Sequence, residues 1–415
     1  MELKRVVVTG IGAITPLGHN VPDTWKALIN GESGSDLISH FDTTNFKTKF
    51  ACEIKNYDAA NYFDRKESRK MDRFAQYAMI SAEEALKDSN IDLESVDLHR
   101  MGVILASGIG GVETLLNEIK GFIEGNGIPR FSPFFIPKII CDIAAGLISM
   151  KYGLKGPNYA TVSACASSTN AIIDSVQLIR NQKADIIIAG GSEAAINEVG
   201  MGGFNSMQAI STKNDEYKTA SRPFCATRDG FVMGEGSAVL ILEEYEHAKA
   251  RGAKIYAEIV GVGLSADAHH LTAPHPEGEG AFHVMKNALD DAYMNSNEVD
   301  YINVHGTATP RGDISELLAI KKLFGEHAFK MNISSSKSMT GHLLGAAGAL
   351  EAIVCILSMR DEIVSPTINH QKQDPEIDER FNLTLNKSQK RKIKVAMNNT
   401  FGFGGHNTTL IFKSI

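Results

Sequence analysis

Short runs of apolar residues recur along the chain and predict buried β-strands. Residues 6–8, 186–189 and 394–397 are runs of this kind, as expected for strands covered by helices on both faces of a sheet. Between such runs, apolar residues recur at helical spacing. Ile172, Ile173, Val176 and Ile179 predict a helix over residues 166–180. Strands alternating with helices predict an α/β fold.

The same order of strands and helices occurs twice along the chain. Residues 8–13 pair a strand with Gly10 and Gly12, and residues 259–264 repeat it with Gly261 and Gly263. In each half a helix follows, ending at 84–89 and 287–292, and then an apolar strand at 103–106 and 302–304. We therefore expect two related halves, residues 1–255 and 256–415, with the functional site where they meet.

Two apolar stretches could be mistaken for membrane segments. The run at 343–359 contains Glu351 and is shorter than the roughly 20 residues that a spanning helix needs, so it predicts a buried helix. The first apolar run breaks at Gly10 and Gly12, which favours a strand over a signal peptide. The Gly10 and Gly12 motif also lacks the third glycine of a dinucleotide-binding fingerprint.

Composition narrows the class further. The 415 residues are 43% hydrophobic and 22% charged, as in an ordinary globular protein. A net charge of −7 excludes a globally basic nucleic-acid binder. Five cysteines without paired or zinc-type spacing favour a reducing compartment, so we expect a cytoplasmic protein without a metal centre, nucleic acid or membrane.

Cys165 is the candidate nucleophile. A free cysteine is more often an apolar filler, but Cys165 directly precedes the predicted helix at 166–180. The unpaired N–H groups of a helix N-terminus favour the thiolate, which is the reactive form. The other cysteines lack this setting.

His305 and His342 each lie in a turn beside Gly and Thr, and both come far downstream of Cys165, so folding must bring the three together. A lone histidine is more often structural, whereas two neutral imidazoles that donate to one point would stabilise an oxyanion or enolate. Lys337 precedes an apolar helix and would need a carboxylate partner if buried. Glu351 is the first candidate, with Asp313 and Glu316 behind it.

Two further features have both a plain and a functional interpretation. The residues Phe401-Gly402-Phe403-Gly404-Gly405 form either a plain turn or a close backbone approach to a ligand. Arg65, Lys66, Arg69, Lys70 and Arg73 would form one cationic stripe if their segment were a single helix. Such a stripe is usually a solvated face; the alternative is a docking face for an acidic macromolecule.

With Cys165, His305, Lys337, His342 and the 401–405 loop in this order, the chain resembles the beta-ketoacyl-acyl-carrier-protein synthases, most closely the elongating synthase II type. The motifs at 337–342 and 243–249 are especially specific, and the resemblance runs from residue 6 to residue 412. It implies a thiolase-like αβαβα fold, a homodimer and acyl carrier protein as partner. It implies no cofactor, apart from a possible monovalent cation.

The resemblance also implies roles for individual residues. Cys165 would carry the acyl chain, His305 and His342 would stabilise the malonyl enolate, Lys337 would act through Glu351, and the N–H groups of Cys165 and Phe403 would bind the acyl oxyanion. The remaining implied roles are a gate at Phe401, an acyl pocket at Ile109, Phe134 and Phe204, pantetheine binding by Thr307 and Thr309, and carrier docking by Lys66, Arg69 and Lys70. Gln208 departs from an expected arginine on the docking face.

Several alternatives stay open. A polyketide or other secondary-metabolite ketosynthase would use the same catalytic residues. A non-catalytic chain-length-factor subunit would lack the nucleophile that Cys165 provides. A thiolase would need a second catalytic cysteine near the C-terminus, and an initiating synthase would carry Asn in place of one histidine; neither feature is present.

Overall fold

The computed structural model describes residues 3–415, in which strands and helices alternate. The strands are Val6–Ile14 (β1), Asp36–Leu37 (β2), Phe50–Ala51 (β3), Met101–Ala106 (β4), Asn158–Tyr159 (β5), Ile186–Glu193 (β6), Gly236–Glu244 (β7), Ala257–Ala266 (β8), Tyr301–Asn303 (β9), Asn332–Ser334 (β10), Ile363–Val364 (β11), Gln389–Lys390 (β12), Val395–Gly402 (β13) and His406–Lys413 (β14).

The α-helices are Val21–Asn30 (α1), Arg65–Ser68 (α2), Arg73–Ser89 (α3), Val112–Glu124 (α4), Phe135–Ile139 (α5), Ile143–Tyr152 (α6), Ser167–Arg180 (α7), Glu198–Ser206 (α8), Tyr245–Ala250 (α9), Glu279–Asp291 (α10), Gly312–Phe324 (α11), Lys337–Thr340 (α12) and Ala347–Asp361 (α13). Short 3₁₀ turns connect some of them. Within residues 3–415, no helix combines the length and apolar character needed to cross a membrane.

The main sheet shows the duplication directly. Its order is β10-β9-β13-β14-β8-β1-β7-β6-β4-β5, so five strands from each half of the chain follow the same order outward from the centre. In each set the two outer pairings are parallel and the inner ones are antiparallel. The sets join through β1 and β8, where Val7 pairs with Glu258 and Val8 with Ala257.

Helices pack in layers around these strands. α7 and α13 lie between the two five-stranded sets and share a buried apolar cluster with the strands on both sides. α3 and α6 cover the outer face of the first set, and α10 and α11 cover that of the second. This arrangement confirms the predicted αβαβα fold.

The repeated glycines are explained by helix packing. A Cβ at Gly12 would lie 2.1 Å from the carbonyl oxygen of Ser81 in α3, and one at Gly263 would lie 2.1 Å from that of Val284 in α10. A Cβ at Gly10 would likewise lie 2.3 Å from the carbonyl oxygen of Ala85 in α3, and one at Gly261 would lie 2.3 Å from that of Ala288 in α10. The glycines therefore let each outer helix approach its strand, and they form no nucleotide-binding loop.

The helices predicted near the site are present with small changes at their ends. α7 begins at Ser167, one residue later than predicted. The stretch predicted as a buried helix at 343–359 begins with a 3₁₀ turn, Leu344–Ala346, before α13, and its residues are buried as far as Met359.

Candidate active site

One cavity of about 380 Å³ brings together most of the residues singled out from the sequence. Its lining includes Cys165 from the first half and His305 and His342 from the second. The other residues singled out from the sequence that line it are Phe204, Gln208, Thr307, Thr309, Glu316, Phe401 and Phe403. The cavity thus lies where the two halves meet.

A tight turn before α7 holds Cys165. Ala164 adopts a positive φ of 50°, and the Ser167 hydroxyl donates to the Ala164 carbonyl oxygen at 2.6 Å. The same hydroxyl accepts from the backbone N–H of Ser163 at 2.8 Å. Gly402 fits against this turn because a Cβ there would lie 2.7 Å from the Ser163 carbonyl oxygen. The thiol is therefore fixed in position and mostly buried.

Burial dominates the acidity of the thiol. It raises the pKa of Cys165 to about 12, while the positive charge of Lys337 and the backbone N–H groups of Phe403 and Cys165 lower it. The backbone N–H groups therefore act in the expected direction, but desolvation of the anion outweighs them and raises the pKa of the thiol overall. The two N–H groups near the sulfur are those expected for an oxyanion hole, a role that stays a prediction.

Hydrogen bonds from backbone N–H groups fix the positions of the two histidines. Glu316 accepts from the N–H of His305 at 2.9 Å and from that of Gly306 at 3.0 Å. The N–H of His342 donates to the Val232 carbonyl at 2.7 Å. The imidazole rings lie 5.4 Å apart at 86°, and the buried Nδ1 of each has no hydrogen-bond partner among the described residues.

Both imidazoles are neutral. Burial lowers the pKa of His305 and of His342 well below the usual value, and the positive charge of Lys337 lowers both further. The Lys337 ammonium forms the expected ion pair with Glu351, and both side chains are only 2% exposed. Lys337 thus lies behind the cavity and acts on the histidines through its charge.

Three buried oxygens near this ion pair bear on whether the protein could hold the monovalent cation that the resemblance allows. Glu351 Oε2, Asn303 Oδ1 and Asn398 Oδ1 have no hydrogen-bond partner within the part of the chain that the structure describes. Asn303 and Asn398 are register neighbours on β9 and β13, and the Asn398 amide donates to the Gly348 carbonyl at 2.9 Å, one turn before Glu351. Such oxygens suit a hard cation, so these residues fit the group.

Aromatic rings and two threonines form the rest of the cavity wall. The rings of Phe204 and Phe231 lie 5.4 Å apart, and Phe231 packs edge-on against His342 at 5.3 Å. Phe401 lies 5.6 Å from the His305 ring. The Thr307 and Thr309 hydroxyls share a hydrogen bond of 3.1 Å. The structure therefore offers an apolar wall with a polar side.

Ile109 and Phe134 do not line the cavity. They are 38% and 39% exposed and belong to the segment 109–140, which carries many exposed apolar side chains. These are Ile109, Leu115, Ile119, Phe122, Ile123, Ile128, Phe131, Phe134, Ile136 and Ile140. The acyl pocket predicted from the resemblance is therefore incomplete on this side of the single chain.

The cationic stripe differs from the prediction. α2 spans only Arg65–Ser68, and α3 begins a new helix at Arg73, so the segment is not one helix. Arg65, Lys66, Arg69 and Lys70 are exposed, and Gln208 is exposed at the cavity mouth. The guanidinium of Arg73 instead turns inward to Glu113 at 3.1 Å and His40 at 2.5 Å. Including Arg73 in the stripe was therefore wrong.

Sequence reasoning missed two buried carboxylates that hold backbone N–H groups near the site. Glu193 ends β6 and Glu235 precedes β7, and both are fully buried. Glu235 accepts from the N–H of Ile54 at 3.0 Å. An available signal was an acidic residue within two positions of glycine in an apolar setting, as in Gly190-Gly191-Ser192-Glu193 and Gly234-Glu235-Gly236.

The five-layered fold, with a cysteine and two neutral histidines in one cavity, defines a condensing enzyme of the thiolase-like fold. Family models for the beta-ketoacyl synthase N-terminal domain and C-terminal domain match residues 3–248 and 256–371. The chain belongs to the beta-ketoacyl synthase family.

Curated relatives agree with this assignment. The chain is 48% identical over 410 residues to 3-oxoacyl-[acyl-carrier-protein] synthase 2 of Staphylococcus aureus strain COL, covering 99% of this chain and 98% of that protein. It is 47% identical over 415 residues to the protein of the same name from Coxiella burnetii, covering 100% of both chains.

Solved structures share the fold. A beta-ketoacyl synthase from Burkholderia phymatum superposes with a TM-score of 0.92 at 36% identity, over 99% of this chain and 100% of that one. A ketosynthase from a complex with its type II PKS acyl-carrier protein superposes with a TM-score of 0.92 at 33% identity, over 100% of both chains.

Proposed function

We propose that this protein condenses malonyl-acyl-carrier protein with an enzyme-bound acyl chain, releasing carbon dioxide and giving a 3-oxoacyl chain two carbons longer. One observation carries the proposal: Cys165 and the neutral imidazoles of His305 and His342 line the same cavity. The names of the curated relatives support acyl carrier protein as the carrier and fatty-acid elongation as the process.

The first half-reaction loads the enzyme. The Cys165 sulfur loses its proton and attacks the thioester carbonyl of the acyl chain, and the N–H groups of Cys165 and Phe403 receive the developing oxyanion. The carbon–sulfur bond to the carrier then breaks, and the carrier leaves as its thiol with the proton. Because burial raises the pKa of Cys165, deprotonation accompanies attack, and the proton passes to the departing carrier thiol.

The second half-reaction forms the new bond. His305 and His342 donate N–H groups to the thioester oxygen of the malonyl group while its carbon–carbon bond to the carboxylate breaks and carbon dioxide leaves. The carbanion attacks the acyl carbonyl on Cys165, the carbon–sulfur bond to the enzyme breaks, and the released Cys165 thiolate takes a proton from solvent. Burial lowers the pKa of both imidazoles and the charge of Lys337 lowers it further, so each imidazole donates its single N–H group without carrying a positive charge.

The carrier protein would approach the exposed basic residues Lys66, Arg69 and Lys70. They form an exposed cationic group on a chain whose net charge is −7, so they suit an acidic partner. Thr307 and Thr309 line the cavity and present hydroxyls to the amide groups of a pantetheine arm. Phe401 and Phe204 would then border the arm and the acyl chain.

A homodimer would complete the acyl pocket. The segment 109–140 exposes a run of apolar side chains, and the exposed strand β5 forms the end of the main sheet beside it. A second copy that covers this surface would remove apolar area from water and enclose Ile109 and Phe134. The unpartnered oxygens of Glu351, Asn303 and Asn398 support a monovalent cation that steadies Lys337. A cytoplasmic location rests on the unpaired cysteines of the sequence.

The test incubates purified protein with acyl-carrier-protein thioesters from short to long chain, adds malonyl-carrier protein, and follows products by intact mass. We expect acylation at Cys165 by peptide mapping, followed by a 3-oxo product longer by two carbons. Cys141→Ala is the matched control, because Cys141 is half-buried outside the cavity. If straight chains fail to acylate the folded protein, fatty-acid elongation is wrong, and transfer of a polyketide chain would assign a secondary-metabolite ketosynthase.

A further inference from the structure

A fully buried carboxylate, Glu193, lies at the end of β6 beside the nucleophile's turn and receives four hydrogen bonds. Its Oε1 accepts from the Ser107 hydroxyl at 3.1 Å and from the N–H of Ile109 at 3.2 Å. Its Oε2 accepts from the N–H of Gly108 at 2.8 Å and from the N–H of Gly345 at 3.0 Å.

One oxygen of Glu193 therefore joins two parts of the chain. Gly108 belongs to the loop after β4 in the first half, whereas Gly345 belongs to the 3₁₀ turn Leu344–Ala346, close behind His342 in the chain. Both N–H groups point at the same oxygen, so the loop and the turn have no independent position while the carboxylate is in place.

The space around this oxygen is filled. A Cβ at Gly345 would lie 2.4 Å from the nitrogen of Gly108 and 2.7 Å from Glu193 Oε2. A Cβ at Gly108 would lie 2.8 Å from the same oxygen and 3.5 Å from the carbonyl oxygen of Ala164, the residue before Cys165. The loop, the turn and the nucleophile's backbone thus meet at one point, with glycine required at two of the three positions.

The negative charge of Glu193 also reaches the nucleophile. Burial raises the pKa of Glu193 to about 7, and its hydrogen bonds oppose this rise. In the ionised form the carboxylate raises the pKa of Cys165, opposite to the effect of Lys337. Among the other titratable groups that line the cavity, His305 and His342 are neutral, and burial raises the pKa of Glu316 to about 7.

We propose that Glu193 is a positioning residue that ties the loop 107–110 to the turn after His342 and thereby sets which acyl chains reach Cys165. The proposal rests on the proposed function, because the loop carries Ile109, a residue predicted to border the acyl chain. Glu193 touches no reacting atom; it acts through the backbone of Gly108, Ile109 and Gly345.

The decisive variant is Glu193→Gln. Glutamine keeps the shape of the side chain, but its NH₂ group cannot accept a hydrogen bond, so one pair of donors loses its acceptor and faces another donor. Glu243→Gln is the matched control. Glu243 is equally buried and is held by the Thr9 hydroxyl at 2.8 Å and by Arg251 at 2.7 Å, away from the cavity.

Two measurements separate positioning from simple loss of stability. The first is kcat/KM for acyl transfer from carrier-protein thioesters of different lengths. We expect the ratio between the best and the poorest chain to fall about tenfold or more in Glu193→Gln and to stay unchanged in Glu243→Gln. The second is the rate of Cys165 alkylation by iodoacetamide against pH, which should shift to lower pH only in Glu193→Gln, because a negative charge near the sulfur is removed.

An unchanged chain-length ratio together with an unchanged alkylation profile in folded Glu193→Gln would overturn the proposal. If that variant does not fold, Ser107→Ala, which removes one of the four donors, should give a smaller flattening of the same ratio, and no flattening there would also overturn it. The alkylation measurement uses no acyl substrate. Failure of wild-type acyl transfer would therefore refute the proposed function, whereas the alkylation profile would still report the effect of Glu193 on Cys165.

Discussion

The two halves of the chain share an architecture and differ in chemistry. Each contributes five strands in the same order, and each packs a long helix onto a strand through a pair of glycines. The first half supplies the proposed nucleophile, Cys165, whereas the second supplies His305, His342 and the buried Lys337. The repeated layers are therefore a scaffold, and the function lies in the turns at the strand ends, where the halves diverge.

The two central helices show where this divergence begins. α7 starts directly after the tight turn of Cys165, so the nucleophile meets the cavity at a helix end. α13 is preceded by a 3₁₀ turn and is buried along almost its whole length, so Glu351 on its second turn reaches Lys337 inside the core. One helix thus presents a reactive group, and the other holds a charge in place.

Replacement of the nucleophile breaks the comparison most completely. Cys165→Ala should lower condensation by more than about 10⁴-fold, because no acyl-enzyme forms. Malonyl decarboxylation, which depends on the second half, should persist. Intact mass spectrometry for acylation and carbon dioxide release for decarboxylation measure the two steps. Acylation at another residue, or full condensation, would show that Cys165 is not the nucleophile.

Replacement of a histidine should give the opposite result. His305→Ala or His342→Ala should lower malonyl decarboxylation by about 10²–10³-fold, because one donor to the enolate is lost. Acylation of Cys165 should survive, as followed by the same mass measurement. A variant that decarboxylates normally would assign its histidine a structural role.

The raised pKa of Cys165, which the charge of Lys337 from the other half opposes, predicts how the alkylation rate of Cys165 depends on pH. With a pKa of about 12 for Cys165, the thiolate fraction is small at pH 7 and grows about tenfold per pH unit below the pKa. Alkylation of Cys165 by iodoacetamide should therefore accelerate from pH 7 to pH 10 without reaching a plateau. Peptide mapping assigns the rate to Cys165. A plateau below pH 8 would mean that Lys337 and the N–H groups outweigh burial.

The predicted docking residues sharpen the comparison because the corresponding segment of the second half lacks basic side chains. Exposed basic residues precede α3, whereas no Lys or Arg lies between residues 264 and 285 around the start of α10. Reversal of Lys66 and Arg69 to Glu should weaken carrier-protein binding about tenfold at low salt, with a smaller difference at high salt. Reversal of the exposed Lys387 and Lys390 is the control, and calorimetry measures both. If both double variants bind the carrier protein with equal affinity, Lys66 and Arg69 belong to an ordinary solvated face and not to a docking surface.

The smallest expected effect is on stability, and it tests the helix–strand packing that the two halves share. Gly12→Ala and Gly263→Ala place a methyl group 2.1 Å from a helix carbonyl oxygen in the first and second half respectively. Each should lower the free energy of unfolding by about 1–3 kcal/mol, because helix and strand must separate. Denaturant titration of both variants gives the comparison. A large difference between them would show that one outer layer packs more loosely than its duplicate.

Local signals in the sequence were sufficient to predict an α/β fold in two related halves, whereas the αβαβα layering was implied by the family resemblance. The glycine pairs, the apolar strands and the helix at 166–180 each follow from residues close together in the chain. The ion pair between Lys337 and Glu351 was also accessible, since a buried lysine requires a partner. The cavity itself forms where turns from distant parts of the chain meet. The periodicity of apolar residues does not predict which distant turns come together.

The features that sequence reasoning missed depend on burial and on backbone partners. The raised pKa of Cys165 results from how much chain covers it, and Glu193 acts through N–H groups of the backbone, which side-chain patterns do not reveal. Arg73 continues a basic pattern in the sequence, but the helix break after α2 turns it inward to Glu113. Each outcome reflects tertiary packing.

The position of β1 at the centre of the main sheet has a consequence for synthesis on the ribosome. This first strand pairs on one edge with β7, which comes much later in the chain and ends at Glu244, and on the other edge with β8, which begins soon afterwards at Ala257. At about 5–20 residues per second, its open edge would wait for β8 only about one to three seconds once β7 has emerged. The open edge of the first half is therefore covered soon after its own strands are complete, by the first strand of the second half, with little time for a neighbouring nascent chain to add a strand.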